Sequence, residues 1–399
     1  MLAYFYYRQS ALLLLLTIVL KSGVDLKILQ GVKRNIFVLL GWLIWLIFTL
    51  TQTELNADMG LPLMSIYAGL VFCIMLGCVF AVNRHAEQLS EMLKEPFGTL
   101  ILTLAVAAIE VSIMLEIMMT GDQNPSMLRD TVFATLMIML NGMVGLSLLA
   151  GSWRHFEQTF NLRGALSYLH LIAPLSLILL IMPNRTTSSP GPTLIPVQEI
   201  FLGLLCILVY LLFLFMQTTR HKELFDDLST FKDQHESIES AINSHPNKRH
   251  AVIVSSSGLI LAVTPIVLLA DFLGSYINYG IETLKAPAEL GGLIVAALVL
   301  IPEGLGAYRS AVRNHMQRAV NLCLGSALST IALTVPAVML ADGLQNLTLV
   351  LGLSGSGTTL LIATLFTALI TLMTGRTTVL QGHVHLMLFA GYLFLIFYP

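Results

Sequence analysis

Long apolar segments constrain this chain more than any other feature of its sequence. A helix that crosses a bilayer needs about 20 mostly apolar residues, and only 11% of this chain is charged, against about 25% in soluble domains. The sequence therefore predicts an all-α polytopic membrane protein with about eleven transmembrane helices. The predicted spans are residues 35–52, 61–82, 97–119, 131–152, 165–183, 196–217, 251–271, 288–308, 317–341, 346–373 and 384–398. The tenth span is expected to be tilted or broken near the glycines at 352–357.

The distribution of basic residues tests this span count independently. With the N-terminus placed in the cytoplasm, 18 of the 21 Lys and Arg residues fall on the cytoplasmic side, and only Arg129, Arg185 and Lys285 fall outside (18 + 3 = 21). Cytoplasmic loops carry such an excess of basic residues, so the sequence predicts a multi-pass topology with the N-terminus inside and the C-terminus outside. The net charge of -2 argues against a nucleic-acid partner, which requires a basic patch.

The chain is predicted to consist of a leading helix and two halves of five spans each. Residues 1–34 form a cytoplasmic or interfacial segment, in which the apolar run 11–20 is interpreted as a surface-lying or half-inserted helix; an extra span or a misplaced start codon are the alternatives. The helix 35–52 precedes a first repeat at 61–217, a polar cytoplasmic loop at 218–250 and a second repeat at 251–398. An odd number of spans per repeat inverts the second copy, as in many transporters.

Two segments at equivalent places in these halves resemble each other. Residues 98–110 read GTLILTLAVAAIE and residues 291–303 read GGLIVAALVLIPE, with five identical positions out of thirteen. Both segments end in a glutamate, and inverted repeats would bring Glu110 and Glu303 close together.

Glu110 and Glu303 are the candidate functional residues, because an ionised side chain at membrane depth costs several kcal/mol unless it is neutralised. No Lys or Arg lies at matching depth in any predicted span, which leaves protons or metal cations as partners. Burial also favours the neutral form of a carboxyl group. The alternative is that both glutamates are permanently protonated and only form hydrogen bonds between helices.

Several neighbouring residues are candidate supporting ligands. Pro302 is predicted to break its helix and free backbone carbonyls, with a simple kink as the alternative. Hard cations prefer oxygen ligands, and the fourth and ninth spans carry amide and hydroxyl groups near their middles. These candidate ligands, which equally suit close helix packing, are Asn141, Ser326, Ser329 and Thr330. His383 and His385 form only a weak candidate metal site, and the four cysteines are interpreted as buried free thiols.

Longer strings around these residues resemble one family. EPFGTLILTLAVAAIEV at 95–111 and PEGLGAYRSAVRNHMQRAVNLCLGSALSTIALTVP at 302–336 are similar to the two signature repeats of the ChaA-type calcium (sodium/potassium)–proton antiporters, within the cation/calcium exchanger superfamily. The segments RDTVFATLMIMLNG at 129–142 and GRTTVLQGHVHLMLFA at 375–390 also look like that family.

The resemblance implies a secondary active antiporter of the bacterial cytoplasmic (inner) membrane that needs no cofactor. It would export Ca²⁺, Na⁺ or K⁺ in exchange for H⁺ by alternating access, with Glu110 and Glu303 binding cation or proton in turn. Its partners would be inorganic cations, protons and the lipid bilayer. A passive cation channel is the alternative. An intramembrane enzyme is much less favoured, because the sequence has no HExxH motif and no paired intramembrane aspartates.

Overall fold

The computed structural model describes residues 35–51, 61–93, 97–119, 124–225, 248–345 and 349–399. These residues are helical almost throughout, and their only β-type pairing is an isolated bridge between Thr159 and Arg376. Ten helical segments of the described part are long and apolar enough to cross a membrane. The predicted segment 1–34 and most of the loop 218–250 lie outside the described residues, so their predicted roles stay predictions.

The first unit follows a short leading helix. Helix α1 spans Ile36–Thr51 and has 16 residues, or about 24 Å at 1.5 Å per residue. The next five crossings are α2 (Leu61–Met92), α3 (Phe97–Met119), a composite of α4 (Met127–Leu136), the π-helical segment π1 (Met137–Met143) and α5 (Val144–His155), then α6 (Leu162–Leu180) and α7 (Pro196–Phe215).

The second unit repeats this order of helices. Its five crossings are α8 (Lys248–Leu284), α9 (Glu289–Val312), a composite of α10 (Met316–Ser329), the π-helical segment π2 (Thr330–Thr334) and α11 (Val335–Gln345), then α12 (Gly355–Met373) and α13 (Val379–Phe397). In both units a π-helical segment interrupts the third crossing. Such segments are uncommon and frequently mark functional sites.

The packing of α9 on α4 reveals their relative direction. Gly292 lies against the backbone of Asp130 and Thr131, whereas Gly304 lies against Met143. The contacts advance together along both helices, so α9 runs parallel to the α4–π1–α5 crossing. That crossing follows α3 in the opposite direction, which makes α3 and α9 antiparallel. This is the direction that inverted copies require.

The third crossings form the centre of the molecule. In their apolar windows, 83% of the residues of the first composite crossing and 78% of those of the second are buried, against 22–50% for the other eight spans. Their polar side chains are therefore held inside protein rather than in lipid. The described connections 156–161, 221–225, 313–315 and 374–378 lie at one end of the bundle, called here the basic end; 124–126, 285–288 and 349–354 lie at the opposite end.

The tenth predicted span begins later than expected. Residues 349–354 are not helical, and their backbone N–H groups bond outside the helix: those of Val350, Leu351 and Leu353 donate to Pro125, Pro192 and Leu180. Helix α12 then starts with Ser354 as N-cap, whose hydroxyl accepts from the N–H of Gly357. A serine cap before a Gly-rich turn is a strong start signal, so the apolar character of 346–354 does not extend the helix.

Other boundaries differ mainly in length. Helices α2 and α8 continue about ten residues past the predicted spans at 82 and 271, because a helix need not end where its apolar stretch ends. The cysteines are all free, as expected, although Cys73 is exposed rather than buried.

Candidate functional site

Glu110 lies in α3 and is almost completely enclosed, with 1% of its surface exposed. Its carboxyl group is held by two threonines of π2 in the other half of the molecule. The hydroxyl of Thr334 donates to Oε2 at 2.7 Å, and that of Thr330 donates to the same oxygen at 3.0 Å. Thr135 of α4 lies beside the same carboxyl group. The Glu110 carboxyl is therefore surrounded by hydroxyl groups.

Glu303 lies in α9 in a more open environment. Its side chain is partly exposed and lines a cavity of about 220 Å³. Ser326 of α10 lies beside the carboxyl group. Among the described residues, however, Glu303 Oε2 and Ser326 Oγ are buried without a hydrogen bond of ordinary geometry. Two unsatisfied oxygens beside one cavity leave room for a further ligand.

The cavity beside Glu303 extends toward the basic end of the bundle. The cavity is lined there by Gln217, which directly follows α7, and by Arg318 and Asn321 in the first turns of α10. One side is an aromatic wall in which the rings of Tyr168 and Phe213 lie 4.9 Å apart. Access to Glu303 is therefore from the basic end.

Glu303 has two carboxyl groups near it, those of Glu110 in α3 and Glu87 in α2. The carboxyl groups of Glu110 and Glu303 lie close enough for their charges to interact. The ion pairs found in the described ranges, Arg129 with Asp130 and Arg376 with Glu157, include neither of them. In the described part of the chain, no basic side chain balances Glu110 or Glu303.

Asn141 is placed differently from the other candidate ligands. Its amide donates to Thr364 Oγ1 at 2.8 Å, and its carbonyl oxygen lies 3.2 Å from His385 Nδ1. It lies near the depth of Glu303, because Met143 contacts Gly304. Its side chain is nevertheless engaged by α12 and α13, and the structure does not bring it to either carboxyl group.

The predicted helix break at Pro302 is wrong. Helix α9 continues from Glu289 to Val312 through this proline. Proline deprives one carbonyl, that of Leu298, of its intrahelical donor, and the remaining turns keep the helix intact. The irregular backbone lies instead in π1 and π2. Ser329 lines the Glu303 cavity, although its hydroxyl donates to the carbonyl of Ser326.

The histidine pair of the last span does not form a site. His383 is exposed and bonds to the carbonyl of Val379, whereas His385 is fully buried between Asn141 and Thr371. Residues two apart on a helix point to different faces. Within the described ranges, no group of three or more His, Cys, Asp or Glu side chains could hold a metal ion.

Sequence reasoning missed two residues of the site, Thr334 and Thr135. Thr334 follows the predicted ligand Thr330 by four residues and lies on the same side of π2, so helical spacing could have identified it. Thr135 has no such signal in the sequence, because its place beside Glu110 depends on how α4 packs. The assembled groups are carboxylates and hydroxyls, which are the ligands of hard cations and also carriers of protons.

Comparisons with known proteins show the family to which the whole chain is similar. The sequence model of the family described as sodium/calcium exchanger protein matches residues 66–219 and 254–398. The putative ionic transporter y4hA of Sinorhizobium fredii is 37% identical over 350 residues, covering 88% of this chain and 92% of that protein. The sodium-potassium/proton antiporter ChaA of Escherichia coli is 37% identical over 326 residues, covering 81% of this chain and 86% of that protein.

Solved structures share the fold at low sequence identity. Native YfkE superposes with a TM-score of 0.70 at 16% identity, covering 92% of this chain and 100% of that one. The H⁺/Ca²⁺ exchanger CAX superposes with a TM-score of 0.65 at 12% identity, covering 92% of this chain and 88% of that one. The two stretches that match the family model correspond to the two helical units.

Proposed function

Because the chain belongs to the sodium/calcium exchanger family, and is therefore a cation exchanger of the membrane, we propose that it exchanges Ca²⁺, Na⁺ or K⁺ for protons at Glu110 and Glu303. One observation carries this proposal. Two neighbouring carboxyl groups lie at membrane depth, and in the described part of the chain no basic side chain neutralises them. A proton or a metal cation is then the available counter-charge.

The ligands around the glutamates fit such an exchange. Glu110 is surrounded by the hydroxyls of Thr330, Thr334 and Thr135, and Glu303 lies beside that of Ser326. A Ca²⁺ ion takes six to eight oxygen ligands, and its two charges match two ionised carboxylates. One Na⁺ or K⁺ ion with one retained proton satisfies the same balance. The named relatives ChaA and CAX exchange cations for protons, which supports the proton as counter-ion.

The direction of exchange follows from the proposed topology. We place the basic end in the cytoplasm of a bacterial inner membrane, with the N-terminus inside and the C-terminus outside, because basic residues concentrate on cytoplasmic loops. The cavity beside Glu303 then admits a cytoplasmic cation to ionised carboxylates. After the site opens outward, external protons displace the cation, and the neutral site returns. An empty pair of ionised carboxylates is too costly to reorient, which couples the two fluxes.

Proton movement in everted vesicles tests the proposal. With a fluorescent pH indicator and an acidified lumen, addition of Ca²⁺, Na⁺ or K⁺ should release protons from vesicles that contain the wild-type protein. Glu110→Gln and Glu303→Gln should each abolish this release while the protein remains in the membrane at wild-type amounts. The control is Glu282→Gln, since Glu282 is exposed at the end of α8. Normal exchange by Glu303→Gln would show that this assignment is wrong.

The same assay separates an exchanger from a passive channel. A channel would let the added cation enter without expelling protons when the membrane potential is clamped. Family membership argues against a channel. Cation entry with no proton release would instead show that the protein is a channel.

A further inference from the structure

The cavity beside Glu303 exposes one face of α10. The residues of α10 that line it recur every three or four positions, as one helical face does. They are Arg318, Asn321, Leu322, Gly325, Ser326, Leu328 and Ser329. This face, together with Glu303, is the wall of the access route that is open in this structure.

A corresponding face exists in the first unit. Each glutamate lies beside a hydroxyl of the crossing that follows it in the chain: Ser326 for Glu303 and Thr135 for Glu110. Aligning α10 and α4 on these two hydroxyls gives an offset of 191 residues (326 − 135 = 191). With this offset, Thr131 corresponds to Leu322 and Asp130 to Asn321.

In contrast to the α10 face, this α4 face is buried. Asp130 is 5% exposed, and Thr131 and Thr135 are 0% exposed. Among the described residues, the hydroxyls of Thr131 and Thr135 make no hydrogen bond of ordinary geometry. Buried hydroxyl groups without such bonds are unfavourable, so these two hydroxyls are free to bind a ligand that reaches them.

The α4 face also leads toward the opposite end of the bundle. Gly292 of α9 packs directly on the backbone of Asp130 and Thr131. Asp130 lines a separate cavity of about 60 Å³ near that end, together with Glu289 and Ser354. The hydroxyls of Thr131 and Thr135 therefore lie between this carboxylate and the carboxyl group of Glu110.

We propose that the α4 face bearing Asp130, Thr131 and Thr135 is the wall of the outer access route to Glu110, with the two threonine hydroxyls as transient ligands for the passing ion. The route is closed in the present state and opens when the Glu303 cavity closes. This inference rests on the proposed exchange, and it adds residues that are buried in the closed state.

Cysteine accessibility tests the route without relying on transport. Thr131→Cys and Leu136→Cys are compared during exchange, using a membrane-impermeant thiosulfonate reagent. Leu136 is equally buried but points to the opposite side of α4. In right-side-out vesicles, Thr131→Cys should react faster than Leu136→Cys by about tenfold or more, because even a minor outward-open population exposes it. The unsubstituted protein gives the background from its native thiols.

A second variant protects the test against loss of folding. If Thr131→Cys does not reach the membrane, Ala134→Cys replaces it, since Ala134 is buried on the same face. Labelling no faster than that of Leu136→Cys, in protein that still exchanges, would overturn the route and leave the proposed function intact. Loss of the proposed function would appear separately, as exchange that persists in Glu110→Gln.

Transport kinetics distinguish a role of Thr131 in the outer access route from a purely structural role. Thr131→Val keeps the shape of the side chain and removes the hydroxyl. It should raise the external proton concentration needed for half-maximal exchange several-fold and leave the cytoplasmic KM for the cation unchanged. A change of equal size on both sides, or on the cytoplasmic side alone, would contradict an outer role.

Discussion

Glu110 and Glu303 end two similar sequence segments, yet the fold gives them different surroundings. Glu110 is 1% exposed and is bonded to two threonines, whereas Glu303 is partly exposed beside a cavity and has an oxygen without a bond of ordinary geometry in the described ranges. Equivalent residues in a symmetric pair would be expected to have equivalent surroundings. The difference indicates that the structure represents one of two states, in which the basic end has access and the opposite end is closed.

The comparison also assigns different tasks to the two halves of the site in this state. Under the proposed exchange, Glu303 is the carboxyl group that a cation or proton from the basic end meets first, while Glu110 is held by Thr330 and Thr334 across the boundary between the halves. In the alternative state, we expect these surroundings to be exchanged between the two glutamates. Alternating access in this protein would then consist of an exchange of surroundings between the two glutamates. It would not require a large chemical difference between the two residues.

The largest expected effect of this difference in surroundings is on the rates at which the two glutamates are chemically modified. In everted vesicles, a water-soluble carbodiimide with an amine nucleophile should modify Glu303 faster than Glu110 by about tenfold or more, because Glu110 is accessible only in a minor state. A transported cation should protect Glu303. Peptide mass spectrometry measures both sites in one sample.

Two controls make the modification result decisive. Glu282 lies at the opposite end of the bundle, inside an everted vesicle, and its modification would reveal that the reagent crosses the membrane. Equal rates for Glu110 and Glu303 without modification of Glu282 would show that the two sites are equally open, and the comparison would fail.

The contact between Gly292 of α9 and the backbone of α4 closes the end of the bundle opposite the basic end. A Cβ atom at Gly292 would lie 2.6 Å from backbone atoms of Asp130 and Thr131, whereas one at Gly306 of the same helix would lie 3.5 Å from the flexible end of Leu322. Gly292→Ala should therefore destabilise the closed form by about 1–3 kcal/mol. Gly306→Ala should leave it nearly unchanged. Thermal unfolding in detergent measures both variants, and equal midpoints would argue against a tight α4–α9 closure.

The sequence made predictions for the parts of the candidate site that depend on local pattern and membrane depth, and the ion-binding role of these residues stays a prediction. It predicted Glu110 and Glu303 from their position in apolar helices, and Thr330 and Ser326 from the polar patch in the ninth span. It failed where tertiary partners decide. Asn141 has the chemistry of a ligand, but His385 and Thr364, more than 220 residues away in the chain, engage its side chain.

The same distinction applies to the backbone. The Gly-rich stretch near 352–357 was expected to tilt or break the tenth span, whereas the helix begins there, because Ser354 caps it locally. Pro302 was not a break, because the loss of one hydrogen bond is small against the packing of a buried helix. The π-helical segments π1 and π2 were not predicted from the sequence.

The smallest expected effect is the difference in stability between variants that lack a hydroxyl beside Glu110 and variants that lack one beside Glu303. Thr334 donates to Glu110 at 2.7 Å, so Thr334→Val should lower the free energy of unfolding by about 1 kcal/mol, the usual value of one hydrogen bond. Ser326 makes no such bond in the described ranges, and Ser326→Ala should change stability by less. Its hydroxyl faces the open cavity, so Ser326→Ala should instead weaken cation binding measured from the basic end. Denaturant unfolding and cation titration of both variants give the two quantities. If Ser326→Ala proved the more destabilising change, the Glu303 side would be as tightly bonded as the Glu110 side, and the asymmetry between them would not reflect an open and a closed half.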